Sequence, residues 1–267
     1  SNQANNVAVS QDLLAENDCN GTGGNNVVCR NDADSFVNEI ETIDQFNTAT
    51  LAGDVSADQI NDLSIGQTAS LVNTCDETDG GVNQAFCEIV AAENIVGAGI
   101  LVIPVSQTNN VDGDPNGGNS LQSNGAQVTQ NLDAVNDCDE AGTGFNLAGC
   151  HNEEKVSNNV DSITQENDGI LGDDLVQTSF VAINQDLQLS NVCDETGVGE
   201  NSASCHTDSH VDTDDNLIGP VSQSNDASGS GDADFTQNNN IPSINQVLVA
   251  QNDCDHTDEQ TAQGDND

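Results

Sequence analysis

Nine cysteines carry most of the chemistry this sequence can offer. Eight fall into local pairs: Cys19 with Cys29, Cys75 with Cys87, Cys138 with Cys150, and Cys193 with Cys205, each ten to twelve residues apart. A short spacing that recurs along an exported chain predicts one disulfide-closed loop per repeat. Each loop would contribute about 3 kcal/mol by restricting the unfolded chain. Zinc is the competing chemistry, but there is no Cys-x-x-Cys, and no Cys-x-x-Cys-His for haem. His206 and His210 follow Cys205, yet oxidation of Cys205 would remove that thiolate from any metal set. Cys254 has no later partner and is expected as a free thiol or as a bridge to another subunit.

Acids follow the first cysteine of most pairs: Asp76–Glu77, Asp139–Glu140 and Asp194–Glu195, then Asp255 after Cys254. Asp112, Asp114 and Asn116, with Gly117, open like a calcium-binding loop, although Ser123 stands where its twelfth-position acid belongs. A solvated turn is the plainer alternative. No cofactor is required by any motif; calcium is the cation these loops would take. Asn20 begins the glycosylation sequon Asn20-Gly21-Thr22. Acid pairs are too numerous to mark an acid–base dyad, and no phosphate loop or Ser/His/Asp pattern stands out, so no enzyme is expected.

The charge balance narrows the partners. The 267 residues hold 46 acids against two bases, Arg30 and Lys155, for a formal charge of −44. Such a chain repels nucleic acid, anionic membranes and acidic polysaccharides. It suits cations, cationic surfaces or a salty medium that screens self-repulsion. Enzymes that cut acidic polysaccharides on parallel β-helices need basic groups that this chain lacks. The longest apolar stretch, residues 95–105, is too short to span a membrane. The absence of Met and the start at Ser1 suggest removal of a secretion signal.

The elements that position these groups are repeats. A frame [IV]-x-Q-x5-N-x-C recurs five times. Its glutamines are Gln11, Gln67, Gln130, Gln185 and Gln246, and its asparagines Asn17, Asn73, Asn136, Asn191 and Asn252. A second string carries Gln45, Gln107, Gln165 and Gln223. A further glutamine sits eight residues before the first type at Gln3, Gln59, Gln122 and Gln177, and nine before it at Gln237. The cysteine spacings of 56, 63, 55 and 61 give repeats at about residues 1–55, 56–118, 119–174 and 175–234, with a partial repeat at 235–267. The intervals between glutamine types suggest two coils of about 22 residues in each repeat.

Alternation such as Val7, Val9 and Gln11 places these side chains on one face of a strand. An inward glutamine among valines is costly unless its amide is bonded. Stacked coils ~4.8 Å apart would let each Gln or Asn bond its copy in the next coil. Two coils per repeat would also set the acidic pairs on every second coil, ~9.6 Å apart, where salt screens them. The apolar fraction of 34% is low, but its regular placement argues against disorder. Residues 84–96 are the best candidate for a helix.

The inward Gln and Asn at fixed places in an approximately 22-residue unit resemble the curlin repeats of bacterial curli fibres. The resemblance covers the amide positions of most coils but not the cysteine loops, and it implies stacked strand–turn–strand coils assembled into extracellular amyloid-like fibres. The expected fold is therefore all-β: a single-domain repeat β-solenoid over residues 1–267, with Gln/Asn ladders and one disulfide loop per repeat. Neither terminus shows a capping segment, which suggests head-to-tail homopolymerisation. The expected function is a secreted filament subunit of a surface appendage or biofilm matrix. The alternative is a calcium-dependent adhesin or surface-layer component that binds divalent cations.

Overall fold

The computed structural model describes residues 2–21, 26–32, 37–51, 56–79, 83–90, 99–102, 104–112, 119–142, 145–154, 157–171, 174–195, 200–209, 218–229, 234–256 and 262–266. Every element among them is a β-strand. The first repeat gives β1 (Asn2–Gly21), β2 (Asn26–Asp32), β3 (Val37–Ile40) and β4 (Ile43–Thr50). The second gives β5 (Ala57–Asp79), β6 (Asn83–Val90), β7 (Gly99–Val102) and β8 (Val105–Asp112). The third gives β9 (Ser120–Gly142), β10 (Phe145–Glu154), β11 (Ser157–Val160) and β12 (Ile163–Leu171). The fourth gives β13 (Leu175–Glu195), β14 (Glu200–Ser209) and β15 (Val221–Gly229). The last gives β16 (Phe235–His256) and β17 (Ala262–Asn266).

Each strand pairs, in parallel, with its counterparts in the neighbouring repeats. The sheets run β1-β5-β9-β13-β16, β2-β6-β10-β14-β17, β3-β7-β11 and β4-β8-β12-β15. A parallel bridge from Val160 to Ile218 extends the short sheet into the fourth repeat. Register follows the sequence frame: Gln11 pairs with Gln67, Asn17 with Asn73 and Cys19 with Cys75. One repeat is thus one rung, and equivalent residues on successive rungs lie ~4.8 Å apart.

This corrects the expectation of two 22-residue coils per repeat. The strands bearing Gln45 and Gln67, β4 and β5, belong to different sheets that face each other across the interior. The sequence fixes which side chains turn inward. Spacing alone does not say whether two amide-bearing strands are stacked neighbours or opposite walls. A second correction concerns residues 84–96. Their described part lies in β6, paired on both sides with β2 and β10, so the backbone bonds of 84–90 go into the sheet rather than a helix.

Strict alternation along the strands separates an interior from an exterior. Gln45, Asn47 and Ala49 of β4 are buried while Asp44, Phe46 and Thr48 are exposed. The first half of the long strands packs against the β4 and β3 sheets through Leu63, Ile65, Val128, Ile183, Val105, Ile163, Ile40 and Val160. The second half forms its own cluster of Ala69, Leu71, Leu132, Ala134, Leu187 and Leu189. The strands of the β2 sheet lie against the long strands of their own and adjacent repeats. Ala49, Leu51, Ala57, Val111 and Leu175 close a third cluster. Aliphatic side chains line these clusters, and buried amides fill the interior beside them.

One irregularity was visible in the spacing. The register of β13 and β16 shifts between Phe180 and Ala182, whose partners are Asn240 and Ser243. One extra residue is therefore housed beside Pro242, and it accounts for the nine residues from Gln237 to Gln246 where Gln177 to Gln185 spans eight.

Candidate functional site

The amides form continuous hydrogen-bonded rows along the stack. In the row nearest the start of the long strands, Gln59 Nε2 donates to Gln3 Oε1 at 3.1 Å, Gln122 to Gln59 at 3.1 Å, Gln177 to Gln122 at 2.8 Å and Gln237 to Gln177 at 2.9 Å. In the second row Gln67 donates to Gln11, Gln130 to Gln67, Gln185 to Gln130 and Gln246 to Gln185, at 2.7–3.2 Å. In the facing sheet Gln107 donates to Gln45, Gln165 to Gln107 and Gln223 to Gln165, at 2.6–2.9 Å. In each of these glutamine pairs the donor lies on the later rung and the acceptor on the earlier one.

The asparagines run the other way. Asn17 Nδ2 donates to Asn73, Asn73 to Asn136 and Asn136 to Asn191, at 2.9–3.2 Å. Asn252 holds the next register position, and its side chain lies outside the described residues. A zigzag in the centre joins the two facing sheets. Asn5 donates to Asn47 and Asn61, Asn47 to Asn61 and Asn109, Asn61 to Asn109 and Asn124, and Asn109 to Asn124 and Asn167. It continues through Asn167 to Asn225 and from Asn225 to Asn239.

This central zigzag is absent from the repeat frame given above. Its signal is a Gln-x-Asn triplet on both strand types: Gln59-x-Asn61, Gln122-x-Asn124, Gln107-x-Asn109 and Gln165-x-Asn167. The two residues point the same way along a strand, so each triplet sends two amides inward.

Cross-sheet bonds satisfy the second amide hydrogen. Gln122 Nε2 reaches Asp168 O at 2.8 Å, Gln107 reaches Gly125 O at 2.8 Å and Asn124 reaches Glu166 O at 2.9 Å. These groups are buried, so each bond removes a desolvation penalty of about 1–3 kcal/mol. The rows therefore bind rung to rung and wall to wall in an interior short of apolar mass.

The other sequence-predicted sites are placed as follows. Cys19 and Cys29 form a disulfide across ten residues. Cys75 is also disulfide-bonded. Cys138 is buried, with its Sγ 3.7 Å from Gly149 O. The side chains of Cys87, Cys150, Cys193, Cys205 and Cys254 lie outside the described residues, but their backbones keep register. Asp112 is exposed at the end of β8, and Asp114 and Asn116 lie outside the described residues. Asn20 is exposed near the end of β1. Among the described residues no cluster of three or more metal-ligating side chains occurs.

The acidic columns also correct an expectation. Asp76, Asp139, Asp194 and Asp255 are register partners on consecutive rungs, not alternate ones, because one repeat is one rung. Carboxylates ~4.8 Å apart repel by ~0.9 kcal/mol even in water. The first rung carries neutral Asn20 in this column. On the same outer face the Asp133 carboxyl is pushed above its ordinary value of 3.8, first by partial burial and then by Asp186.

Both ends of the stack leave interior positions uncovered. Leu175 and Ile183 are 0% and 1% exposed, whereas their register partners on the last rung, Phe235 and Ile244, are 41% and 50% exposed. At the other end Val7 and Val9 are half-buried, while their partners Leu63 and Ile65 are buried. No family of known proteins, no curated protein and no solved structure matches this chain.

Proposed function

We propose that this chain is a secreted structural subunit, a five-rung β-solenoid that polymerises head to tail into an extracellular filament. The observation that carries this reading is the polarity of the amide rows. Gln3 accepts from Gln59 through Oε1, which leaves its Nε2 on the N-terminal side, while Gln237 donates through Nε2 and leaves Oε1 on the C-terminal side. In this row one end presents the Gln3 amide nitrogen and the other the Gln237 amide oxygen. Asparagine polarity in the centre is reversed, and a second copy stacked on the five-stranded sheet would extend its Gln3–Gln237 row in the same sense. Apolar side chains half-exposed on the last rung gain cover in the same step, at about 25 cal/mol per Å². The bulge at Pro242 interrupts the outer edge of β16 but keeps Gln237 and Gln246 in register on either side.

The resemblance to curlin repeats supports the same conclusion. Its unit now corresponds to amide-bearing strands on opposing walls rather than to successive coils. Disulfide loops are proposed on the first four rungs, because Cys138 and Cys150 hold the register positions of Cys75 and Cys87. The alternative function, a calcium-dependent adhesin or surface-layer component, is favoured by the aspartate column on consecutive rungs. Electron microscopy and sedimentation of purified protein with and without chelator separate the two. Filaments that persist in chelator support the first. Monomers that lose structure in chelator overturn it in favour of the second.

A further inference from the structure

Acids are spread over the outer walls of the stack, and one face is an exception. We propose that the outward face of the first half of the long strands β1, β5, β9, β13 and β16 is a docking surface for a second copy of this chain, met face to face about a two-fold axis. The contact is lateral. It is independent of the head-to-tail reading and holds whether or not the stack polymerises.

The charge distribution singles this face out. Outward positions alternate with the inward Gln and Asn, and register aligns them into columns. From Asn2 to Ser10, and along the matching stretches of the other four long strands, the only charged outward residues are Asp58 and Asp62. The second half of the same strands turns Glu16, Asp137 and Asp186 outward. The outer face of the β4 sheet turns out Asp44, Glu166 and Asp226. The chain holds 46 acids against two bases, so two copies approaching through those walls set carboxylate against carboxylate. Salt screens such charges while they stay wet, but a dry contact leaves them buried without partners. Among the described faces, the first half of the long strands offers the least repulsion.

Shape and area agree. Ala8, Ser64, Gly66, Gly125 and Ala182 leave little standing above the backbone, and a Cβ at Gly66 would meet nothing within 4 Å. Stacked sheets pack about 10 Å apart, a distance that small side chains permit. On the inner rungs Ile60, Leu121, Val176 and Phe180 are 36–40% exposed. Val176 pairs with Leu121 and Phe180 with Gly125, so the apolar side chains gather on neighbouring strands. Uncharged polar residues such as Asn6, Ser10, Asn238 and Ser243 border them on the first and last rungs. An apolar centre inside a polar rim is the anatomy of a protein interface. Five strands at ~4.8 Å, each with about nine residues at ~3.3 Å, span on the order of 700 Å² per copy. Stable pairings bury about 800 Å² per partner. A two-fold axis parallel to the strands at the third rung keeps the Asp58 and Asp62 carboxylates of the two copies on different rungs.

Sedimentation equilibrium of the freshly purified full chain tests the contact. A two-fold interface closes at two copies, whereas head-to-tail stacking grows without limit, so the expected species is a dimer. Gln127 is exposed on the third rung, and Gln127→Glu sets a carboxylate on the flat face of both copies. It is expected to raise the dimer Kd at least about tenfold. Phe180→Ser is expected to do the same by removing apolar cover. Asp62→Asn takes an acid off the face and is expected to tighten the dimer. Gln251→Glu makes the same isosteric change on the acid-rich half and is expected to leave Kd unchanged. Thermal unfolding of the dilute subunit checks that each variant folds. A wild-type chain that stays monomeric at about 0.1 mM overturns the proposal. So does a dimer that ignores Gln127→Glu, or one that weakens equally with Gln251→Glu. Monomer that instead cosediments with an uncharged polysaccharide overturns the second copy as the occupant. Open-ended growth that Gln127→Glu does not touch overturns the lateral contact and leaves the filament standing; a closed dimer with no filaments does the reverse.

Discussion

Replacing Gln122 by Leu tests whether the buried amides hold the rungs together. Gln122 is fully buried on the third rung. It donates to Gln59 Oε1 at 3.1 Å and to Asp168 O at 2.8 Å, and accepts from Gln177 Nε2 at 2.8 Å. Leucine has a similar volume and makes none of these bonds. Gln177 Nε2 keeps Asn167 O and Asp226 O, so its loss is modest. Gln59 Oε1 and Asp168 O lose a donor, and each stranded acceptor costs about 1–3 kcal/mol. Greater apolar burial returns about 1–2 kcal/mol. The net expectation is a loss of about 2–3 kcal/mol, read as a lower urea midpoint at unchanged slope. Gln3→Leu, at the half-exposed end of the same row with one row bond, is expected to cost about 1 kcal/mol or less in the soluble subunit. Gln122→Leu matching the parent, or Gln3→Leu costing as much, would refute the idea that the rows are structural.

Other perturbations probe separate parts of the account. Asp133 holds its proton more tightly folded than unfolded, so this carboxyl favours the native state as pH falls toward 3.8 and opposes it as pH rises through the raised value. Asp133→Asn should accordingly flatten the acid side of a melting-temperature profile and raise stability slightly at neutral pH; a lower neutral melting temperature contradicts this. Cys29→Ser opens the first loop and is expected to cost about 2–3 kcal/mol by thermal unfolding, with no such loss if both proteins are measured reduced. Gly219→Ala places a Cβ 2.5 Å from Asp161 O, and calorimetry is expected to register a loss of about 1–3 kcal/mol. Raising salt from 10 mM to 150 mM shortens the screening length from about 30 Å to about 8 Å, so thermal stability of the subunit should increase; no change would remove the role given to acidic self-repulsion.

The strands and their inward faces were legible because alternation and amide spacing are local properties. Gln11, Gln67, Gln130, Gln185 and Gln246 stand in one frame, and the same five occupy one hydrogen-bonded row. The bulge near Pro242 was legible as a nine-residue interval. The rung itself was not, because the facing walls of one repeat and two stacked coils send the same residues inward. That choice rests on long-range pairing, such as β4 with β8 across 62 residues. The acidic columns were misplaced for the same reason: halving the rung doubled the inferred distance between Asp76 and Asp139. The central asparagine zigzag went unread because its signal, the Gln-x-Asn triplet, lies outside the cysteine-anchored frame and its bonds form between walls.

The rise per subunit in assembled material tests the central claim most directly. For the proposed filament, five strands at ~4.8 Å in the long-strand sheet predict an axial rise of ~24 Å per subunit together with a ~4.8 Å meridional reflection. Helical reconstruction or fibre diffraction reads both values. A filament whose rise is not a whole five rungs, or whose subunits meet side to side with both end rungs open, would contradict it.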